Sequence, residues 1–327
     1  MKISVIIATY NDPLLNQCLD SIFNSKNVLP EIIVIDDGST KVSVEEIVAK
    51  YPNTKLFTFE KNKGPAVARN FGVKKATGNI VFFLDSDAQV YPDTFEKIYE
   101  RFQKDPKLQG LTISWSDESI KNNFFNKFKA VEGNYLFTNL ITKSFGSNGS
   151  AIYKDLFLKE GGFDENFKTA NAEDFYFGLK LFNKGYKIDL DKKILMKNSY
   201  LDSFFFEGMK KYCQRAFLRA MVLYQIKNKT ETSYNSKMFK ILYLLSGVVL
   251  LFVVLGLFFR PLLYLALLFY FVFFFLNRSL YNKFYKKHGA IFSFRTTLLH
   301  YFYILVVSIA GTTGLIFAHL TKKKKSL

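Results

Sequence analysis

The chain has 327 residues and carries 45 Lys and Arg against 28 Asp and Glu, which gives a formal net charge of +17. This length predicts one large domain with an appendage rather than one average domain. The charge alone would suit nucleic acid, but many of the cations flank apolar segments and no groove-reading motif accompanies them. We therefore expect anionic lipid headgroups, and not nucleic acid, as the partner of these cations.

The few cysteines and histidines limit the kinds of disulfide and metal site that the chain can form. Cys18 and Cys213 are too few for a disulfide framework or a metal cluster, and they suit a reducing compartment. The three histidines all fall in the last third of the chain, so a metal site before them must use carboxylates, which favour Mg²⁺ or Mn²⁺. The first apolar run ends too early for a signal peptide, so we expect a cytosolic N-terminal domain.

The first part of the chain predicts alternating strands and helices. Short apolar strands are predicted at residues 3–8, 32–35, 55–59 and 80–84, with helical spacing after residue 13 and over residues 44–51 and 64–76. This order predicts the α/β fold class, with a parallel sheet covered on both faces. Ligands bind such sheets at the carboxyl ends of the strands, where this chain has polar residues: Thr9, Asp12, Asp36, Asp37, Asp85 and Asp87.

Beyond Asp87 the pattern is less regular. Helices are predicted at residues 93–103, 120–138, 172–183 and 206–227, and short strands at residues 110–115, 149–153 and 186–189. These elements complete the predicted N-terminal domain.

The last part of the chain predicts membrane segments. Residues 241–259 are apolar and long enough to cross about 30 Å of hydrocarbon, and residues 262–276 run back after Arg260 and Pro261, which predicts a helical hairpin. A third apolar stretch covers residues 297–320. If it also spans, the lysines at 322–325 lie outside, against the positive-inside bias; otherwise it lies in the interface or re-enters at residues 311–314. We favour the second arrangement.

The strongest chemical signal is the sequence Asp85-Ser86-Asp87 after an apolar strand. Two carboxylates at a strand end can hold a divalent cation, which neutralises a diphosphate leaving group. An acidic surface turn would look the same, so the motif is weak by itself.

Two further clusters follow the same topology. The sequence Asp36-Asp37-Gly38-Ser39 has carboxylates that could accept from a uracil N–H or a ribose hydroxyl. An ordinary loop would have the same composition. Residues 62–70 place a helix N-terminus and Arg69 near the crevice, where they suit a diphosphate; the alternative is a solvated arginine.

A last pair of acids, Glu173 and Asp174, opens a helix after the sequence Gly161-Gly162-Phe163-Asp164-Glu165. A carboxylate at this place could act as general base toward an acceptor hydroxyl. Acids are also favoured in first turns for electrostatic reasons alone.

Together, in this order and spacing, these sequences resemble family 2 glycosyltransferases of the GT-A fold over residues 1–220. The resemblance implies a Rossmann-like, mostly parallel sheet that binds a nucleotide-sugar, followed here by C-terminal membrane helices. It implies an inverting single displacement without an enzyme nucleophile, a divalent cation and, by preference, a UDP-sugar.

The resemblance also implies roles for particular positions. Asp174 is the expected catalytic base with Glu173 in support, and Asp85 and Asp87 are the expected metal ligands. The other expected contacts to the donor are Thr9, Tyr10, Asp12, Asp36, Asp37, Arg69 and Ser86. Gly161, Gly162, Arg215 and Arg219 are expected to contact the acceptor or the diphosphate.

One departure from the family pattern bears on the product. Processive synthases of this family carry Q-x-x-R-W after the base, whereas residues 211–219 here contain no Trp and have the wrong spacing between Gln214 and Arg215. We therefore expect addition of a single sugar. Arg215 and Arg219, four residues apart on one helix face, could equally form a plain surface.

The sequence thus predicts a glycosyltransferase that acts on a lipid-linked or membrane-proximal glycan in the synthesis of cell-surface polysaccharide or glycoconjugate. A polyprenyl-phosphate glycosyltransferase and a non-catalytic nucleotide-sugar-binding scaffold are the alternatives. The expected parts are a catalytic domain at residues 1–225, a linker at 226–240, a membrane hairpin at 241–276, a basic cytoplasmic or interfacial segment at 277–296, a third membrane or interfacial helix at 297–320 and a basic tail at 321–327.

Overall fold

The structure is a computed structural model that describes residues 1–141, 143–167, 172–203, 207–226 and 237–325. For residues 322–325 it describes the backbone only. Most of the predicted linker and the end of the predicted basic tail lie outside these residues.

In the part of the chain that the structure describes, a sheet of eight strands forms the centre of the N-terminal part. The strands are β1 (Ile3–Thr9), β2 (Glu31–Asp36), β3 (Thr54–Thr58), β4 (Ile80–Phe83), β5 (Ala88–Val90), β6 (Gly110–Ser119), β7 (Ser150–Tyr153) and β8 (Ile188–Asn198). Their order is β3-β2-β1-β4-β7-β6-β8-β5. The predicted α/β class is confirmed.

The direction of the strands divides this sheet into two halves. Strands β3, β2, β1 and β4 are mutually parallel, as the alternating strand and helix pattern predicts. Strand β7 runs antiparallel to both β4 and β6, and β5 antiparallel to β8, so the second half is mixed. The α/β alternation ends at β4, because β4 is followed by a short turn into β5 and no crossover helix intervenes.

Eight α-helices belong to the described residues of this N-terminal part. They are α1 (Leu15–Phe23), α2 (Val44–Val48), α3 (Pro65–Lys75), α4 (Thr94–Lys104), α5 (Phe124–Tyr135), α6 (Lys154–Lys159), α7 (Glu173–Asn183) and α8 (Met209–Ile226), and a π-helical turn, Leu136–Leu140, continues α5. Side chains alternate across β1: Val5 and Ile7 pack in one core cluster with α1, and Ile6 packs in the other with α3. The sheet is therefore buried on both faces.

Residues 237–325, the described range of the C-terminal part, form four helices: α9 (Lys237–Gly256), α10 (Leu262–Leu276), α11 (Arg278–His288) and α12 (Ala290–Lys325). By length and composition, α9 and residues 290–321 of α12 could each cross a membrane, and α10 with α11 forms a pair bent by 67°. Re-entry at residues 311–314, one of the two forms of the favoured arrangement, is wrong, because Gly311 and Gly314 continue a regular helix.

Helix α12 packs along α8, the last helix of the N-terminal part. The rings of Phe217 and Phe317 lie 5.7 Å apart, and Tyr224 Oη lies 3.0 Å from His319 Nδ1. The third apolar stretch is therefore attached to the N-terminal domain over much of its length.

Candidate active site

The carboxyl ends of three adjacent parallel strands meet at one edge of the sheet. Thr9 ends β1 and lies opposite Asp36, the last residue of β2, while Asp85 follows the neighbouring β4. The structure therefore brings together the polar residues that topology places at this edge.

Asp12 joins the turn formed by Asp85, Ser86 and Asp87. The Ser86 hydroxyl donates a 2.5 Å hydrogen bond to Asp12 Oδ2, and the Leu14 N–H donates to Asp12 Oδ1 at 2.9 Å. The pKa of Asp87 is raised to about 7, first by burial and then by the charges of Asp85 and Asp12. Several carboxylates thus share one small volume.

A divalent cation fits this chemistry, although no group of three or more potential ligands is found among the described residues. Mg²⁺ and Mn²⁺ take oxygen ligands, and Mg²⁺ is usually held by one or two carboxylates together with substrate phosphates. Asp87 and Asp85 supply such carboxylates, and the repulsion that raises the pKa of Asp87 is what a bound cation would relieve. The full ligand set would then be completed by a diphosphate.

Arg69 of α3 connects the two acidic parts of the site. Its side chain is only 5% exposed, and its guanidinium donates to Asp85 Oδ1 at 2.8 Å and to Glu173 Oε1 at 3.0 Å. The neighbouring Asn70 donates to the Phe163 carbonyl and accepts from the Phe163 N–H. Helix α3 thereby fixes the Asp85 turn and the start of α7 to each other.

Asp174, the expected base, lies in the first turn of α7 and is half-buried. Burial raises the pKa of Asp174, but the charge of Arg219, the Ser147 N–H and the charge of Arg69 outweigh burial, and the pKa is lowered overall. The group is consequently a carboxylate at neutral pH. Glu173 is buried and paired with Arg69, which leaves Asp174 as the more accessible of the two.

The two acids at the end of β2, Asp36 and Asp37, accept hydrogen bonds from backbone N–H groups of nearby loops. Asp37 is buried, and its two oxygens accept from the N–H groups of Lys63 and Gly64, which precede α3, at 2.7 and 2.9 Å. Asp36 accepts from the Ser39 N–H at 2.9 Å. Gly38 has φ +78°, and an added Cβ would lie 2.7 Å from the Lys61 carbonyl carbon. This close approach requires glycine.

Two neighbouring residues at the β1 end remain available to a ligand. The Thr9 hydroxyl is buried without a hydrogen-bond partner among the described residues. Tyr10 is 51% exposed. A buried hydroxyl that lacks a partner beside an exposed ring suits a nucleobase, which offers polar edges and an aromatic face.

The expected acceptor or diphosphate contacts divide into two groups. Gly161 and Gly162 form a turn with positive φ, and Gly162 packs against Asn70, so the turn explains both glycines structurally. Arg219 lies over the Phe175 ring at 5.6 Å and lowers the pKa of Asp174. Arg215 lies one turn away on the same helix, α8.

Three residues of the site are not predicted from the sequence. Lys211 lies one turn before Arg215 on α8. Burial and the charge of Arg215 lower the pKa of Lys211 overall, although the charges of Asp87 and Asp85 act in the opposite direction. Ser147 and Asn148 contact Asp174 and Asp85 from a loop before β7. The only local signal was the run Gly146-Ser147-Asn148-Gly149, which predicts a turn and no function.

Comparison with known proteins finds a family model that is similar to the N-terminal part of the chain. Residues 4–159 match the sequence model of glycosyl transferase family 2. An uncharacterized glycosyltransferase of Haemophilus influenzae is 44% identical over 99 residues, which cover 29% of this chain and 40% of that protein. The chain thus spans less than half the length of this relative.

Two solved structures share the fold. The mannosyltransferase PcManGT from Pyrobaculum calidifontis, in complex with GDP-Man and Mn²⁺, is 16% identical with a TM-score of 0.55 over 95% of this chain and 87% of that one. S. aureus TarS 1-349 in complex with UDP-GlcNAc is 22% identical with a TM-score of 0.51 over 71% of this chain and 68% of that one. At these identities the likeness is one of fold.

Proposed function

Because residues 4–159 match the model of glycosyl transferase family 2, we propose that this chain is an inverting glycosyltransferase that transfers one sugar from a nucleotide-sugar to a lipid-linked or membrane-proximal glycan. The observation that carries the proposal is the double ion pair of Arg69. It joins Asp85, on the donor side, to Glu173, the neighbour of the expected base Asp174. Donor carboxylate and base thus belong to one centre.

The donor end would use the strand edge described above. Thr9 and Tyr10 would take the nucleobase, with Asp12, Asp36 and Asp37 shaping its pocket, and Asp85 and Asp87 would hold a divalent cation. When bound, this cation neutralises charge that develops on the leaving diphosphate. A UDP-sugar is the preferred donor, in line with the bound UDP-GlcNAc of the TarS neighbour, although PcManGT holds GDP-Man.

The chemical step is a single displacement. An acceptor hydroxyl attacks the anomeric carbon, its proton passes to the Asp174 carboxylate, and the bond from the anomeric carbon to the diphosphate oxygen breaks with its electron pair on the diphosphate. The lowered pKa of Asp174 supports its role because the base must be ionised before the reaction. Lys211, Arg215 and Arg219 follow one face of α8 at intervals of four residues and would counter the charge of the leaving group.

The membrane helices support an acceptor that resides in the bilayer. Helix α8, which carries these cations, packs along the apolar helix α12. The same arrangement supports the second candidate, a polyprenyl-phosphate glycosyltransferase, because a lipid phosphate could reach Lys211 and Arg215 from the bilayer. The product separates the two: a sugar on a lipid monophosphate, or an extended glycan.

A donor screen tests the proposal. The full chain in detergent with Mn²⁺ is incubated with UDP-, GDP- and dTDP-sugars, and slow hydrolysis and binding of each donor are measured. We expect one donor to bind and to be hydrolysed, Asp87→Ala to abolish this hydrolysis, and Asp174→Asn to lower sugar transfer by about 10²–10⁴-fold once an acceptor is supplied.

The matched control is Asp155→Asn, which removes an exposed carboxylate at the start of α6. It should leave both rates unchanged. Failure of every nucleotide-sugar to bind would overturn the proposal. Binding of a donor that is neither hydrolysed nor transferred would instead favour the non-catalytic nucleotide-sugar-binding scaffold.

A further inference from the structure

A short loop before β7 touches both acidic parts of the site. Residues 145–149 begin with the buried Phe145, whose ring lies 5.5 Å from that of Phe177 in α7. They end with Gly149 at φ +85°, where a Cβ would collide with the Met196 sulfur. Both ends of the loop are thus fixed by packing.

Ser147 contacts the expected base through two donors. Its N–H and its hydroxyl donate to Asp174 Oδ2 at 2.9 and 3.1 Å, and the Phe175 N–H donates to Asp174 Oδ1 at 2.7 Å. Ser147 is itself buried, so water does not compete freely for its hydroxyl. Three donors on two oxygens fix the plane of the carboxylate.

Asn148 makes the corresponding contact on the donor side. Its Oδ1 accepts from the Asp85 N–H at 3.1 Å, and its amide donates to Asn198 Oδ1 at 2.9 Å. Asn198 belongs to β8 and lies opposite Ala88 of β5. The side chain therefore supports both ends of the turn that carries Asp85 and Asp87.

We propose that Ser147 and Asn148 are positioning residues, in which Ser147 orients the base carboxylate of Asp174 and Asn148 fixes the donor-side turn. This inference rests on the proposed function, because it assigns both residues through the roles of Asp174 and Asp85. Two consecutive residues thus set the distance between the donor carboxylate and the base.

The charged groups around Asp174 define what a pH profile would report. Arg219 faces it from α8, Arg69 from α3, and Glu173 precedes it on α7. Residues 145–149 include no charged side chain, and the loop contacts Asp174 through neutral N–H and hydroxyl donors. Removing the Ser147 hydroxyl therefore changes the hydrogen bonding of Asp174 without changing the surrounding charges.

The test compares Ser147→Ala with Asn148→Ala in the full chain, with the donor identified by the screen. We expect Ser147→Ala to lower kcat about tenfold with an unchanged KM for the donor, since a hydrogen bond to a charged group is lost. The acid limb of kcat/KM should move to higher pH, because the carboxylate loses a donor that favours its ionised form. Ser147→Thr should restore both.

Asn148→Ala should show the opposite pattern: a raised KM for the donor, weaker binding of the nucleoside diphosphate alone, and an unmoved acid limb. Ser25→Ala, which removes a distant hydroxyl without a partner among the described residues, is the control. Thermal unfolding of each variant confirms folding.

Distinct results would overturn the two proposals. An unmoved acid limb and unchanged kcat in Ser147→Ala, or identical kinetic changes in both loop variants, would refute the positioning roles. Full turnover in Asp174→Asn would instead refute the base assignment of the proposed function.

Discussion

The carboxyl group of Asp87 combines burial with two neighbouring carboxylates, Asp85 and Asp12, and its pKa rises from 3.8 to about 7. Between these two pH values the folded chain keeps a proton that the unfolded chain has lost. The free energy of unfolding must therefore fall as the pH rises from about 4 to about 7, and the loss persists above 7.

This sign predicts a dependence on the metal. Without divalent cation, the unfolding temperature of the full chain in detergent should fall between about pH 4 and about pH 7. With excess Mg²⁺ and nucleoside diphosphate, the fall should diminish or reverse, because the deprotonated carboxylate binds the cation. Asp87→Asn should flatten the curve measured without cation. If the unfolding temperature changed equally with pH in Asp87→Asn and in the unmodified chain, Asp87 would not be the group that causes the pH dependence.

At the scale of elements, the contact between α8 and α12 depends on one glycine. A Cβ at Gly314 would collide with the Phe217 carbonyl oxygen and lie 3.0 Å from its Cα, whereas a Cβ at Gly311 meets nothing within 4 Å. Ala is favoured over Gly in a helix by about 1 kcal/mol at either position. The two glycines therefore form a matched pair.

We expect Gly314→Ala to separate the two helices, lower the unfolding temperature and impair transfer, because backbone cannot yield as a side chain does. Gly311→Ala should be neutral or slightly stabilising. Limited proteolysis between the N-terminal domain and α12 supplies an independent readout, and equal behaviour of the two variants would show that this packing does not matter.

The sequence predicts those elements whose pattern is local. The four parallel strands and the turn at Asp85 follow from apolar runs that each end in polar residues. Strand β8 begins at Ile188 and reaches Asn198, well beyond the predicted end, because its Asp191 and Lys192 break the apolar pattern while pairing with β6 sustains the strand. Strand β5 is only three residues long and produces no pattern.

The site shows the same limit. The acids of the strand ends can be named from their positions, but Arg69 could not be predicted to bridge Asp85 and Glu173, since Glu173 lies 104 residues away in the chain. The roles of Ser147 and Lys211 cannot be predicted from the sequence for the same reason. Their partners are brought to them only by the folded chain.

For the whole molecule, the packing of α8 against α12 bears on how the protein meets the bilayer. If α12 crossed the membrane, the part of α8 between the Tyr212–Tyr303 and Phe217–Phe317 ring contacts would lie beside the middle of the apolar stretch, and this part carries Arg215. A charged side chain at the centre of a bilayer costs about 2.5–3.5 kcal/mol or more. We therefore expect α12 to lie in the interface.

Depth measurements test this arrangement. Phe302, Ile309 and Ile316 are exposed and lie seven residues apart on one face of α12, over about 21 Å of helix. Fluorescent labels at single cysteines there, with Cys213 replaced by Ser and the buried Cys18 left in place, should be quenched by lipids with quenchers at one common shallow depth. A steady increase of depth along the three positions would instead establish a crossing helix.

Helix α11 is fastened to the N-terminal domain, and this has a consequence for acceptor choice. Lys283 lies 3.4 Å from an Asp117 carboxylate oxygen, and Lys287 donates to the Asp117 carbonyl at 2.7 Å. With the bend before α11 held in this way, the active site cannot rise or sink freely relative to the hairpin of α9 and α10. An enzyme fixed in this way would select acceptors by the distance of their terminal sugar from the bilayer surface. Glycans that are one sugar unit too short or too long would be poor acceptors.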